Sequence, residues 1–91
     1  MIFFRRVTGD SMSPTLSNGQ IVIFHQINNF KVGQIATAFV DKKEVIKRIN
    51  KIDGDKIFLG VDDQKHAHNG TFYATVNDKN IDGVVFWPRN L

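Results

Sequence analysis

The sequence predicts a mainly β protein: one small domain over residues 1–91, mostly antiparallel and partly barrel-like. Three observations point there. The apolar runs are short and rich in Ile, Val and Phe, as in QIVIFHQI and QIATAFV. Turn-forming residues separate them. No stretch sustains the 3.6-residue period of an amphipathic helix.

Taken in order, residues 2–9, IFFRRVTG, form a strand running into Gly9. SMSPTL is a turn or a single helical turn, because Pro14 suits a first helical position. SNG at 17–19 is turn chemistry, and residues 20–27 make the next strand. NNFKVG loops to Gly33. QIATAFV and EVIKRINKI then face each other across the polar turn DKK, as in a hairpin. DGD at 53–55 turns the chain into the strand KIFLGV. Residues 62–71 read as a polar loop. FYATV and GVVFW close the sheet, with a short turn or helical piece at NDKNI. That makes about seven strands, with Phe24, Ile35, Phe39, Ile57 and Val85 expected in one core.

Hydrophobic residues make up 42% and charged residues 23% of the chain, a folded composition. Cysteine is absent, which excludes disulfides, thiolate metal sites and a cysteine nucleophile. It also fits a reducing compartment, so a cytoplasmic location is favoured. The net charge of +3 is small and scattered, too weak to argue for nucleic acid or membrane by itself. No apolar run approaches the roughly 20 residues of a membrane span. MIFFRRV is too short for a secretory signal. A peripheral membrane contact stays open.

The tight segment VTGDSMSPTL places Ser11 between Asp10 and Met12, behind Gly9. Serine is a poor nucleophile unless a neighbour takes its proton. His25 lies in a strand and reads as an ordinary strand residue. His66 and His68 form an H-x-H pair in the polar loop, short of the ligands a metal needs unless Asp62 or Asp63 joins them; neither metal nor cofactor is expected. Lys47 is the better base. Strand alternation puts it on one face with Val45 and Ile49, opposite Glu44, Ile46, Arg48 and Asn50. A lysine facing inward loses hydration, and its amine is then neutral closer to physiological pH. The plain alternative is a snorkelling lysine with a packed stem and a wet head.

The boxes GDSMSPTL, VGQIATAFV and EVIKRI, in that order, resemble the signal-peptidase-I family of Ser–Lys proteases. The G-D-S-M form is also similar to the related self-cleaving LexA and UmuD proteins, and NIDGVVFWP resembles the family's closing strand. The resemblance covers residues 7–88. It implies a fold of the signal peptidase I or LexA C-terminal type, with Ser11 as nucleophile and Lys47 as general base. Gly9, Asp10 and Met12 would form the oxyanion and substrate-binding surround. Met12, Pro14 and Thr15 would shape the turn.

The implied activity is a serine endopeptidase cleaving a signal- or leader-like segment after small residues. Its peptide or protein substrate would lie extended along residues 4–10, with no nucleic acid involved. Self-cleavage is not expected, because only ten residues precede Ser11. Two departures stand out. Gly33-Gln34 replaces the family's Gly-Asp. The segment that supports the lysine has no clear counterpart in GVDDQKHAHNG, although His66 or His68 falls there. Lys47 is therefore expected to have only apolar neighbours and loose aim, giving a slow protease with a mobile 62–71 loop. Two other readings compete: an inactive relative serving as a scaffold, and a small basic β-barrel stacking nucleic-acid bases on Phe3, Phe4, Phe24, Phe30 and Phe72.

Overall fold

The computed structural model describes residues 1–63, 72–89 and 91. Seven strands run in chain order: β1 (Ile2–Arg6), β2 (Ile21–His25), β3 (Ile35–Val40), β4 (Lys43–Asp53), β5 (Lys56–Gly60), β6 (Phe72–Asn77) and β7 (Ile81–Trp87). One turn of 3₁₀ helix, Asp78–Asn80, sits between β6 and β7, where Asn77 caps it and accepts from the Lys79 N–H. The strands form one antiparallel sheet in the order β1-β2-β7-β3-β4-β5-β6. The sheet curls into a half-barrel, so that Arg5 of edge strand β1 reaches Glu44 of β4 at 2.6 Å.

Local chemistry explains the hairpins. Asp41 and Lys42 both have positive φ, 50° and 66°, as a two-residue mirror-image turn requires. The reversal between β4 and β5 passes through Gly54, φ 61°. β1 is shorter than expected. After Arg6 the chain leaves the sheet to build the 7–20 loop, closed by Val7 N–H to the Gln20 carbonyl (2.8 Å) and Gly19 N–H to the Val7 carbonyl (2.7 Å).

The sheet buries two clusters where one core was expected. Ala36, Ala38, Ile49, Ile57, Leu59, Ile81 and Val84 make the first. Val7, Met12, Leu16, Val22, Phe24 and Ile35 make the second, with Phe3, Ile46 and Val85 packed against it. A curled sheet covers both faces of its central strands, which divides the core. Phe39 was expected inside but is exposed, because strand alternation turns it to the face opposite Ala36, Ala38 and Val40, which pack in the first cluster. Most of the phenylalanines that would make a base-stacking surface are structural: Phe24 is buried, Phe3 stacks on it and Phe30 packs on the first cluster. Only Phe4 and Phe72 of that set are exposed.

Gly83 of β7 leaves no room for a side chain. A Cβ there would stand 2.8 Å from Phe3 Cζ and 2.9 Å from the His25 carbonyl oxygen. The ring can shift a little, but the strand backbone cannot. Gly83→Ala is expected to lower stability by about 1–3 kcal/mol, read as a fall in the urea midpoint at constant slope. An unchanged midpoint would mean that β2 and β7 are less tightly apposed than this.

Candidate active site

Ser11 stands in the turn that follows β1. The turn is anchored from below: Met12 and Leu16 are buried, and the Leu16 N–H donates to the Met12 carbonyl at 2.9 Å. Ser13 N–H closes on the Asp10 carbonyl, also at 2.9 Å. Gly9 adopts φ +87°, a conformation that favours glycine, and its N–H donates to Asn18 Oδ1. No helix continues from Pro14; the segment is a turn spanned by the single i→i+4 bond from Leu16 N–H to the Met12 carbonyl.

Lys47 comes from the middle of β4, opposite Ala36 of β3. It is 8% exposed, so the inward face read from the alternation is the face observed. Its Nζ donates to Ser11 Oγ at 2.6 Å. Burial holds the amine's pKa below the ordinary lysine value of 10.5. Among the described residues no carboxylate pairs with it, so no opposite charge offsets the lost hydration. Ser11 and Lys47 open onto a groove of about 90 Å³. Arg5, Arg6, Val7 and Thr8 line it from the β1 side, and Met12, Glu44 and Ile46 complete the walls. Gly9 and Asp10 stand outside this lining. Met12 reaches it but is mainly a core residue, 2% exposed.

The lysine is not left with apolar neighbours alone. The face of Tyr73, from β6, lies 4.5 Å from Nζ. Behind the serine, Asp62 ties the two halves of the site together. Its backbone N–H and that of Asp63 donate to the Ser11 carbonyl at 3.0 and 2.9 Å. Its carboxylate accepts from Thr15 Oγ1 at 2.6 Å and from both Arg48 Nε and Nη2, at 2.9 and 2.6 Å. Arg48 follows Lys47 in β4 and also donates to the Gly33 carbonyl. The Arg48 hydrogen bonds hold the Asp62 carboxyl below its usual range, and Thr15 adds to this. Asp62 in turn raises Arg48. Thr15 therefore braces the turn through a carboxylate and does more than shape it.

Arg48, Asp62 and Tyr73 are site residues that no sequence motif marks as such. Arg48 had looked like one of several solvent-facing charges, and Asp62 only like an auxiliary metal ligand. The expectations placed on 64–71, His66 and His68 included, lie outside the described residues. Among the described residues no three His, Cys, Asp or Glu side chains gather as a metal site would require. No described helix is long and apolar enough to cross a membrane.

A hydroxyl held on a buried amine that no described carboxylate pairs, beside a strand edge open among the described strands, is what an amine-activated serine protease needs. The comparisons agree with that chemistry at the level of family. The model of the family described as Peptidase S24-like matches residues 1–85. The chain belongs to this family. The resemblance to LexA-type proteins thus identifies the right branch, while the signal-peptidase-I label names a related one. The chain is also similar to a LexA repressor from Shewanella halifaxensis (strain HAW-EB4), 33% identical over 66 residues. That alignment covers 71% of this chain and 32% of the repressor, so the chain spans about a third of that relative's length. Membership in the S24-like family accounts for the half-barrel of seven antiparallel strands.

Proposed function

We propose that this chain is a serine endopeptidase in which Ser11 is the nucleophile and Lys47 the general base. The observation that carries the reading is the 2.6 Å contact between Lys47 Nζ and Ser11 Oγ, made by an amine that burial biases toward its neutral form. Neutral Lys47 takes the hydroxyl proton as Oγ attacks the substrate carbonyl. The ammonium then returns that proton to the departing amine as the C–N bond breaks. A water, deprotonated by the same amine, hydrolyses the acyl-serine ester. The tetrahedral oxyanion requires a donor already in place. The Ser11 N–H serves, because among the described residues no backbone acceptor engages it.

The substrate lies extended against β1, which pairs only with β2 among the described strands and leaves its other edge open. A groove this small, walled by Val7, Met12 and Ile46, favours cleavage after a small residue. A signal- or leader-like segment fits that description. So does a cleavable segment joined to the same chain, as the likeness to a LexA repressor suggests.

The test incubates the protein with an Ala-x-Ala peptide across a pH series and follows products and protein by mass spectrometry. Cleavage that rises with pH, with an acyl adduct on the tryptic peptide holding Ser11 after acid quench, is expected. Cleavage surviving in Ser11→Ala would sink the assignment, and so would the absence of both cleavage and adduct at alkaline pH. A first-order rate independent of protein concentration, measured on a chain extended with an Ala-x-Ala-containing segment, distinguishes cutting in cis from cutting in trans.

A further inference from the structure

We infer that Tyr73 is a positioning residue for Lys47: its ring closes the side of the amine that Ser11 leaves open and keeps water from Nζ. The inference rests on the reading of Lys47 as base but concerns a residue that neither the motifs nor the family match brings forward. Tyr73 Cα lies on β6, the edge strand farthest from β1 in the sheet order. Register explains how it reaches the amine. Arg48 pairs with Gly60 of β5, and Gly60 pairs with Phe72 of β6, with a shift between Leu59 and Gly60. Gly60 has no side chain to intervene between β4 and β6 at that level, and the ring of Tyr73 lies 4.5 Å from Nζ.

Among the described residues Nζ is thus held between Ser11 Oγ at 2.6 Å and the Tyr73 ring, whose centroid is 4.5 Å away. Tyr73 is not among the residues lining the groove, while its ring lies over Nζ. Its outer side faces solvent, at 40% exposure, while Lys47 beneath it is 8% exposed. The ring exerts two opposed effects on the amine. Its electron-rich face attracts an ammonium, and its bulk excludes the water that would solvate one. Exclusion prevails, because an aromatic face replaces only part of the hydration a buried cation loses. The charged groups around the amine do not supply the same bias. Arg5, Arg6 and Glu44 line the groove, with Arg5 and Glu44 paired to each other. Arg48 and Asp62 are paired behind Ser11.

The experiment titrates the lysine side-chain resonances of isotopically labelled wild type, Tyr73→Ala and Tyr73→Phe by NMR, which needs no catalytic activity. Removing the ring should raise the Lys47 pKa by about one unit, and Tyr73→Phe should leave it at the wild-type value, because the ring and not the hydroxyl does the shielding. Tyr73→Thr, a strand-compatible residue, takes the place of Tyr73→Ala if the latter does not fold. In peptide cleavage at neutral pH, Tyr73→Ala should lose about tenfold in kcat at unchanged KM, its acid limb displaced to higher pH. An unchanged or lowered Lys47 pKa without the ring overturns the inference, as does a Phe variant that behaves like Ala. A change confined to KM would place Tyr73 on the substrate and overturn it too. If Lys47 shifts as expected while the wild type cleaves nothing, the positioning stands and the protease reading falls.

Discussion

Lys47→Met should abolish cleavage and make the protein more stable. On the first count, methionine keeps the stem's volume but has no proton acceptor for Ser11, and losing a general base costs about 100- to 10,000-fold. On the second, the wild type buries an amine that no described carboxylate balances. A thioether carries no such desolvation cost, so stability near neutral pH should rise by about 1 kcal/mol. The sign of the pH dependence separates this account from generic repacking. Burial holds the folded pKa below 10.5, so between that lowered value and 10.5 the unfolded chain binds more protons than the native one. Wild-type stability from this group therefore increases with pH through that window and levels off above it. The methionine variant lacks the increase, and its advantage should shrink as pH rises. Urea unfolding of both proteins at several pH values measures the effect. A variant less stable than wild type at neutral pH would show that the Ser11 and Tyr73 contacts outweigh the buried charge.

Much of this site was legible in the sequence because it is written in local patterns. The Asp41–Lys42 turn sits between two runs of alternating residues, which marks a hairpin and fixes which β4 residues share a face. Lys47 between Val45 and Ile49 follows from that count alone. The serine turn is legible from Gly9 and Pro14. The supporting contacts were hidden for the opposite reason. Asp62 meets Thr15 across 47 residues and Arg48 across 14, and it lies beyond the end of β5, where no strand alternation assigns its side chain a face. Arg48 looked solvent-facing because the count treats the strand's second face as wet. A sheet that curls covers that face as well, and Ile46 and Arg48 end up packed. Tyr73 reaches Lys47 from the far side of an intervening strand, a relation that appears only once the register of three strands is known.

Asp62→Ala is expected to lower both stability and activity, because one carboxylate joins the nucleophile's turn to the base's strand. The substitution removes the paired bonds from Arg48 and the bond from Thr15. Charge-assisted hydrogen bonds between largely covered partners support a loss of about 2 kcal/mol, moderated because Arg48 keeps its bonds to the Gly33 and Leu91 carbonyls. The backbone N–H groups at 62 and 63 can still reach the Ser11 carbonyl, but the side-chain tie from residue 62 to Arg48 of β4 is gone. A drift of the serine relative to Nζ follows, and displacement of a reacting group can cost on the order of 100-fold in kcat. Asp62→Asn tells charge from shape: it keeps an acceptor for Thr15, so it should fall between wild type and alanine. The pH dependence has a definite direction. The folded carboxyl titrates below its ordinary 3.8, so its contribution is complete above that value and is lost as pH falls through the lowered pKa. Wild type and Asp62→Ala should therefore differ most above about pH 5 and converge in strong acid. Kinetics at substrate saturation, combined with urea unfolding over that range, decide the matter. If kcat is intact while stability falls, Asp62 braces the fold without aiming the serine. If the stability gap persists undiminished in strong acid, the Arg48 and Thr15 bonds are not what Asp62 contributes.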